Sequence, residues 1–339
     1  MNDPTSPRFH GLVNLASESL GARALACSDD FFASMSNLVK DAPPVFLPEE
    51  FTERGKWMDG WESRRKREPG HDWCVLRLGV RGRPRAIDID TAHFLGNQPP
   101  FASVEATDAP ADGLDAAVWT EIVAQAPIRP GSSNLFVCAE APVATHVRLN
   151  LFPDGGVARL RVFGEVAPDW ATETDDGAPT RPGEFDLAAL RHGGLALACS
   201  DAFFGPMNNL IAPGRAENMG GGWETRRRQG RPFDARPDWI LLRLGAPGEL
   251  TLVEVDTHHF KGNFPDRCAL DVIDAPGASI TDLLASDGWT RALPEQKLCA
   301  DERHFFREEL IAAGRATHAR LWIFPDGGVS RLRLYGRRP

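Results

Sequence analysis

The sequence has no long apolar segment and no excess of positive charge, and each absence excludes a class of protein. No run approaches the roughly 20 apolar residues that a membrane-spanning helix needs. The first ten residues lack the apolar core of a secretory signal, so we expect a cytoplasmic protein without a membrane partner. The net charge of −9 argues against a nucleic acid as partner, because phosphate binding requires a basic surface.

Paired cysteines and the common catalytic motifs are also missing. The six cysteines show no Cys-x-x-Cys spacing, so they predict neither a disulfide framework nor a cysteine zinc site. No glycine-rich phosphate loop and no Gly-x-Ser-x-Gly motif occurs, which removes the usual nucleotide-binding and serine hydrolase interpretations. No metal ligands are therefore predicted, although the sequence leaves a loosely held divalent metal ion open as a cofactor.

The sequence does contain a duplication. Four motifs of the first half return in the same order in the second half, while the lengths between them vary. A period of about half the chain is too long for a solenoid, whose repeats run to about 20–50 residues. The chain therefore consists of two related domains. The copied motifs are residues 26–32 and 198–204, 61–65 and 223–227, 90–97 and 256–263, and 152–157 and 324–329.

The domain boundaries follow from the duplication and from one segment that lacks periodicity. Residues 165–184 contain prolines, glycines and a cluster of acids without a hydrophobic pattern, which is typical of a linker. We therefore predict a first domain over residues 11–164 and a second over residues 185–337. Each has the size of an ordinary single domain.

Alternation with period two predicts β-strands in most segments. Residues 145–151 place Val147, Leu149 and Leu151 on one face, and a Pro-Asp-Gly-Gly turn leads to a second alternating segment, which predicts a tight hairpin. Weaker patterns predict short helices over 114–125 and 302–313. Short strands with glycine and proline turns favour an all-β fold with an antiparallel sandwich in each half and few short helices.

The motif Trp-Glu-[Ser/Thr]-Arg-Arg is a candidate binding site. Guanidinium groups bind planar carboxylate or ureido oxygens in pairs, and an indole N–H can donate one more hydrogen bond. This favours substrate binding by Trp61, Arg64 and Arg65, and by Trp223 and Arg226 in the second half. A solvated loop with its tryptophan packed for structural reasons explains the pattern equally well.

Carboxylates and histidines near strand ends are candidate catalytic groups. Asp90 and His93 are three residues apart where a predicted strand ends, and Asp256 and His259 repeat them. Such a pair can converge as acid and base, and Glu62 of the Trp-Glu motif is a further proton donor or acceptor. The alternative is an aspartate that forms a turn beside a half-buried histidine.

A set of basic residues alternates along the predicted hairpin. His146, Arg148, Arg159 and Arg161 would attract an anionic ligand if they lined a cleft. On a sheet face open to water they would only be surface residues, which is the commoner case. His146 and Arg148 are kept as candidate substrate-binding residues.

Together these motifs resemble the allantoicases, the allantoate amidinohydrolases of purine breakdown. The resemblance is carried by residues 54–65, 88–94, 218–225 and 256–263 and by both Phe-Pro-Asp-Gly-Gly-Val segments, and it covers nearly the whole chain. It implies tandem jelly-roll, galactose-binding-like domains, hydrolysis of allantoate to ureidoglycolate and urea, and a homo-oligomer. The alternative is a pair of jelly rolls that bind a carbohydrate or another small ligand without catalysis, because fold alone does not decide function.

The chemistry of allantoate suits these residue types. Its carboxylate and two ureido groups share one carbon, and release of urea breaks a carbon–nitrogen bond there. An acid must protonate the departing nitrogen while a base activates water or assists expulsion. The two halves differ at one carboxylate: Asp59 precedes Gly60-Trp61, whereas Gly221 stands at that position in the second half, where the family motif more often has aspartate.

Overall fold

The fold comes from a computed structural model that describes residues 11–138, 140–168, 170, 177–227 and 237–338. The chain divides into two compact units, Met1–Pro168 and Asp169–Pro339, and the division falls inside the predicted linker. The first ten residues, in which no secretory signal is predicted, lie outside the described residues, as does the acidic centre of the linker. The finer domain boundaries stay a prediction.

One long strand organises the first domain. The first part of β6 pairs with β2 and β10, and its last part pairs with β9 and β12, so that β6 belongs to two sheets. Eight of the described strands are hydrogen-bonded into one sheet through β6, and its two parts, which are the two sheets of the sandwich, have the orders β2-β6-β10-β7-β8 and β9-β6-β12-β1. Among the described residues the strands are β1 Val13–Asn14, β2 Arg23–Cys27, β3 Phe51–Thr52, β4 Gly55–Lys56, β5 Trp61–Glu62, β6 Asp72–Asp90, β7 Phe101–Thr107, β8 Thr120–Pro127, β9 Ser133–Val137, β10 Ala144–Phe152, β11 Gly156–Val157 and β12 Arg159–Val166.

The burial pattern of β6 explains how one strand serves both sheets. Cys74, Leu76 and Leu78 are buried at alternate positions in its first part, whereas all four of residues 86–89 are buried in its last part. The simple alternation of a strand is therefore lost between the two parts, which indicates an irregularity there. The ladder to β10 shifts register at this point.

The second domain repeats this arrangement around β16, with sheets β14-β16-β20-β17-β18 and β19-β16-β22-β13. Its described strands are β13 Phe185–Asp186, β14 Leu195–Cys199, β15 Trp223–Glu224, β16 Asp238–Asp256, β17 Arg267–Ile273, β18 Thr290–Lys297, β19 Arg303–Phe306, β20 Arg315–Phe324, β21 Gly328–Val329 and β22 Arg331–Arg337. Apolar residues of both sheets, among them Ile240, Val253, Leu321 and Leu332, pack into one core. The predicted all-β tandem of antiparallel sandwiches is confirmed.

The predicted hairpin is wrong. β10 and β12 do not pair with each other, because each pairs with a different part of β6. The Pro-Asp-Gly-Gly segment instead leads into β11, which pairs with β5 and carries the chain to the other sheet. A Cβ atom on Gly156 would lie 2.0 Å from the Phe94 ring, so this glycine makes room for an aromatic side chain. Gly328 has the same relation to Phe260.

Both predicted helices are also wrong. Residues 120–127 form β8 against β7, and residues 303–306 form β19 against β16. Tertiary pairing overrides the helix propensity of the glutamates and alanines in these segments. In the described part of the chain the α-helix is α1, Ile280–Ala285, and short 3-10 turns cover 18–20, 35–39, 111–116, 190–192, 207–211 and 219–221. No helix found there is long and apolar enough to cross a membrane.

Candidate active site

Both tryptophans of the repeated motif belong to the core. Trp61 and Trp223 are completely buried, and each indole N–H donates to a backbone carbonyl, that of Asp29 at 2.8 Å and that of Asp201 at 2.9 Å. The single N–H donor of each ring is therefore already used within the protein and is not available to a ligand. The structural alternative therefore describes these two residues better than the predicted substrate binding.

The arginines of the same motif lie on the surface beside those aspartates. Arg64 donates from Nε to Asp29 Oδ2 at 2.7 Å, and its guanidinium lies 5.2 Å from the Phe31 ring centroid. Arg226 approaches Asp201 to 3.6 Å, while Arg65 is exposed. The Trp-Glu-x-Arg-Arg motif thus braces the Ser-Asp-x-Phe-Phe motif in each half, which explains why the two are repeated together.

Glu62 connects two of the copied motifs. Its Oε1 accepts a hydrogen bond from Asn97 Nδ2 at 2.7 Å, and Asn263 donates to Glu224 in the second half. Burial raises the pKa of Glu62, and the hydrogen bond from Asn97 only partly opposes this. Glu62 lies in the β5–β11 pair, and a catalytic role for it stays a prediction.

The histidines hold loops in place. His93 and His259 adopt left-handed backbone conformations, with φ of 70° and 71°. The Nε2 atoms lie 3.2 Å from the carbonyl oxygen of Pro44 and 3.0 Å from that of Ala216. Because a carbonyl only accepts, Nε2 must carry the proton in both rings. Loss of the Nε2 proton would break this contact, so a catalytic role for either histidine would have to use Nδ1, and it stays a prediction.

The predicted basic face divides between the two sheets. His146 and Arg148 lie on β10, whereas Arg159 and Arg161 lie on β12 in the other sheet. His146 is buried, and burial lowers its pKa. Arg148 donates to Glu105 at 2.7 Å and so has a protein carboxylate as its partner. The four residues therefore do not form one anion-binding surface.

The arginines of the second domain that correspond to Arg159 and Arg161 do line a cavity. Arg331 and Arg333 on β22 alternate with the core residues Leu332 and Leu334, so both arginines project from the outer face of their sheet. They border a cavity of about 1000 Å³ that lies within the second domain. Its remaining charged or titratable lining residues are Arg181, Glu184, Asp186, Arg191, His192, Arg215, Glu254, Asp256, Arg303 and Tyr335.

Asp256 is the predicted catalytic residue that reaches this cavity. Its carboxylate is buried and accepts two hydrogen bonds from the Arg215 guanidinium, one from Nε at 3.1 Å and one from Nη2 at 3.3 Å. It also accepts the backbone N–H of His258 at 2.9 Å. Asp90, its copy in the first half, accepts the N–H of Ala92 at 2.8 Å in the same way. Arginines outnumber carboxylates around the cavity, so it favours an anionic ligand.

His192 is a functional candidate that the sequence patterns missed. Its Nδ1 lies 2.7 Å from the carbonyl oxygen of Asp186, and its ring stacks on Trp170 at 4.6 Å. The carbonyl requires a proton on Nδ1, which leaves Nε2 as an acceptor on a residue that lines the cavity. His192 belongs to no repeated motif, and its one signal is that Leu20 occupies the corresponding position in the first half.

One side-chain cluster in the described residues has the composition of a metal site. Ligand atoms of Cys299, Glu302 and His304 lie within 4.8 Å of one another. The imidazole of His304 is already used, because Nε2 accepts the N–H of Cys299 at 2.8 Å and Nδ1 lies 3.0 Å from the carbonyl oxygen of Val255. Without a free nitrogen the cluster does not fit a metal ion in this arrangement.

Comparison with known proteins gives one consistent result. The family model described as an allantoicase repeat matches residues 13–167 and 185–339. The chain is 47% identical to probable allantoicase 1 of Burkholderia mallei, covering 99% of this chain and 98% of the relative. It is also 47% identical to a probable allantoicase of Photobacterium profundum, covering 97% of each.

A solved structure supports the same assignment. The crystal structure of allantoicase from Saccharomyces cerevisiae superposes with a TM-score of 0.78 and 32% identity, covering 97% of this chain and 94% of that one. The repeat match spans both domains, and the relatives match over nearly their full length. The chain therefore belongs to the allantoicase family.

Proposed function

We propose that the chain hydrolyses allantoate to ureidoglycolate and urea in the cavity of the second domain. Hydrolysis of allantoate is the reaction of its family. The location is supported by one observation above all: Asp256, an aspartate of the motif copied in both halves, lies in the wall of a large cavity in which arginines outnumber carboxylates.

The charges around the cavity suit both parts of the substrate. A guanidinium binds a carboxylate through charge-assisted hydrogen bonds, and it also donates to the carbonyl oxygen of a ureido group. Carboxylates such as Asp256 accept hydrogen bonds from ureido N–H groups. The pairing of Asp256 with Arg215 keeps this acceptor in a fixed orientation at the wall. Allantoate can thus be held by its carboxylate and oriented by its two ureido groups.

Two groups at the cavity can move the protons that hydrolysis requires. In the proposed reaction Asp256 accepts a proton from water while the water oxygen bonds to the central carbon. The carbon–nitrogen bond breaks as protonated His192 delivers its Nε2 proton to the departing ureido nitrogen, which leaves as urea. Exchange with solvent returns both groups to their starting states, so that one water molecule is consumed for each urea released.

Matched aspartate variants test the location of the reaction. Asp256→Asn removes the proposed base in the second domain, and Asp90→Asn makes the same change in the copied motif of the first. We expect urea release by Asp256→Asn to fall at least about 100-fold, the size of a general acid–base contribution. Asp90→Asn should keep wild-type turnover, with circular dichroism confirming the fold of both variants.

The opposite result would place the chemistry elsewhere. If Asp90→Asn loses turnover and Asp256→Asn keeps it, the reaction occurs in the first domain. If the unmodified chain releases no urea from allantoate, the non-catalytic binding protein is the correct alternative. We also infer a cytoplasmic protein and, as the family resemblance implies, a homo-oligomer. Sedimentation of the purified chain tests the oligomer: a monomer at all concentrations would contradict it.

A further inference from the structure

Arg159 and Arg331 occupy the same position in the two domains but have different partners. Arg159 stands opposite Asp90 in the ladder between β12 and β6, and Arg331 stands opposite Asp256 in the ladder between β22 and β16. Both side chains are buried. The duplication therefore provides an internal comparison of one guanidinium in two surroundings.

In the first domain a carboxylate of the chain neutralises this guanidinium. Arg159 donates from Nη2 to Asp59 Oδ2 at 2.7 Å. Lys40 Nζ at 3.3 Å and the backbone N–H of Val45 at 3.0 Å complete the surroundings of the Asp59 carboxylate. Asp59 thus occupies the position at Arg159 Nη2 that an anionic ligand would need.

In the second domain the corresponding carboxylate is missing. Gly221 stands in place of Asp59, and Arg331 donates to the backbone carbonyls of Gly214 at 2.8 Å and of Gly221 at 2.7 Å. In the part of the chain that the structure describes, no carboxylate lies within ion-pair distance of Arg331, and its Nη2 has no hydrogen-bond partner. The same residue lines the cavity.

A buried cation without an ion-pair partner is costly. Burial lowers the pKa of Arg331 to about 10, with a further contribution from Arg333 and an opposing one from Asp256, and this value still leaves the group protonated at neutral pH. Neutral carbonyls satisfy only part of its hydrogen-bonding capacity, and an anion would supply the missing charge. In the first domain Asp59 provides that anion at the nitrogen, Nη2, that is left without a partner in Arg331.

We infer that Gly221 opens an oxyanion subsite on Arg331 for the carboxylate of allantoate, while Asp59 closes the equivalent position in the first domain. The inference rests on the proposed function, since it names the group that holds the substrate in that cavity. A carboxylate is the expected ligand because the chain itself places a carboxylate there in its other half. The chain then has one allantoate site, in the second domain.

The subsite adds affinity and takes no part in bond breaking. A family member with aspartate at this position would neutralise its own arginine, as the first domain does with Asp59, and would hold the substrate carboxylate through other cavity arginines. The subsite therefore distinguishes this chain from such relatives. Its effect belongs in the KM for allantoate, whereas kcat depends on the proton-transfer groups.

Substitutions at Gly221 test the subsite. Gly221→Asp supplies the missing carboxylate and should raise the KM for allantoate about tenfold with kcat unchanged, the effect of losing one charged hydrogen bond. A Cβ atom here would lie 3.0 Å from the Cβ of Ala216, so Gly221→Ala controls for crowding. Gly221→Asn controls for size without charge. Both controls should keep the KM within about twofold of the original chain.

Two results would overturn the inference. One is an unchanged KM in Gly221→Asp, and the other is an equal rise of KM in all three variants, which would indicate steric obstruction. If Asp256→Asn keeps full turnover, the proposed function fails independently of these KM values. If Asp256→Asn loses turnover and Gly221→Asp keeps its KM, only the subsite fails.

Calorimetric titration of the Asp256→Asn chain with allantoate tests whether Asp59 prevents allantoate from binding in the first domain. This variant should bind substrate without consuming it, so a stoichiometry can be measured. We expect one allantoate per chain. Two equivalents would contradict closure by Asp59, and no binding at millimolar allantoate would contradict a subsite that depends on Arg331 and not on Asp256.

Discussion

Residues that differ between the two domains indicate the position of the proposed site better than the shared tryptophans do. Trp61 and Trp223 make the same buried contact in each domain, so their repetition reflects a common structural need. His192 and Gly221 differ in residue type from their equivalents in the first domain, and Arg331 lacks the carboxylate partner of its own equivalent. The shared tryptophans therefore serve the fold, whereas the proposed site combines a shared aspartate, Asp256, with residues that differ between the domains.

The role of His192 gives a prediction at this scale. His192→Leu places in the second domain the residue that the first domain has at Leu20, so the variant should fold. We expect kcat for urea release to fall at least about tenfold with a smaller change in KM, because the lost group transfers a proton in the transition state. Steady-state kinetics from pH 5 to 9 measure both constants. A wild-type kcat across this range would remove His192 from the mechanism.

Some contacts of single residues could not be predicted from the sequence. Asp59 and Arg159 are separated by 100 residues, and no local pattern shows that they form a pair. Asp256 was identifiable because the motif around it is copied, whereas His192 lies in an uncopied position. Repetition therefore reveals candidate residues, but it does not reveal which of them are buried.

At the scale of elements, β6 and β16 show what local patterns leave out. Alternation predicts strands at 72–78 and 85–90, and both are confirmed as parts of β6. The pattern does not show that they form one strand shared by two sheets, because residues 79–84 between them contain two glycines and a proline, which interrupt the alternation. The same ambiguity produced the incorrect hairpin: Pro-Asp-Gly-Gly predicts a reversal, and the actual requirement for Gly156 is the Phe94 ring.

The ion pair of Glu184, the residue before β13, gives a prediction about the pH dependence of stability. Glu184 pairs with Arg307 at 2.8 Å, and although burial opposes ionisation, hydrogen bonds from Arg307 lower the pKa of Glu184 from 4.5 to about 2. A lowered folded-state pKa stabilises the domain above the unfolded value of 4.5, and this contribution is lost as the pH falls towards 2. Glu184→Gln should therefore be less stable than the original chain at pH 7.

The difference in unfolding free energy between the two chains should shrink between pH 4.5 and pH 2, the interval over which Glu184 takes up its proton. Urea denaturation at several pH values measures it. Asp108→Asn is the matched control, because the Asp108–Arg81 pair is exposed and contributes less than about 1 kcal/mol. A constant difference between the Glu184→Gln and original chains would contradict a stabilising ion pair at β13.

At the scale of the whole molecule, the sequence was sufficient for the class, the duplication and the family. The copied motifs predict two related all-β domains, and the match to the allantoicase repeat covers both of them. The number of active sites could not be predicted, because it depends on which copy retains an open cavity. Asp59 and Gly221 are the residues by which we assign that cavity to the second domain.

Locating bound allantoate is the most direct test of the claim that the second domain carries the active site. Hydrogen–deuterium exchange of the Asp256→Asn chain, with and without allantoate, reports protection segment by segment. We predict slower exchange at residues 185–192 and 211–215, which border the second-domain cavity, and no change at the equivalent first-domain residues 13–20 and 39–43. Protection of the first-domain segments without protection of the second-domain segments would contradict the assignment.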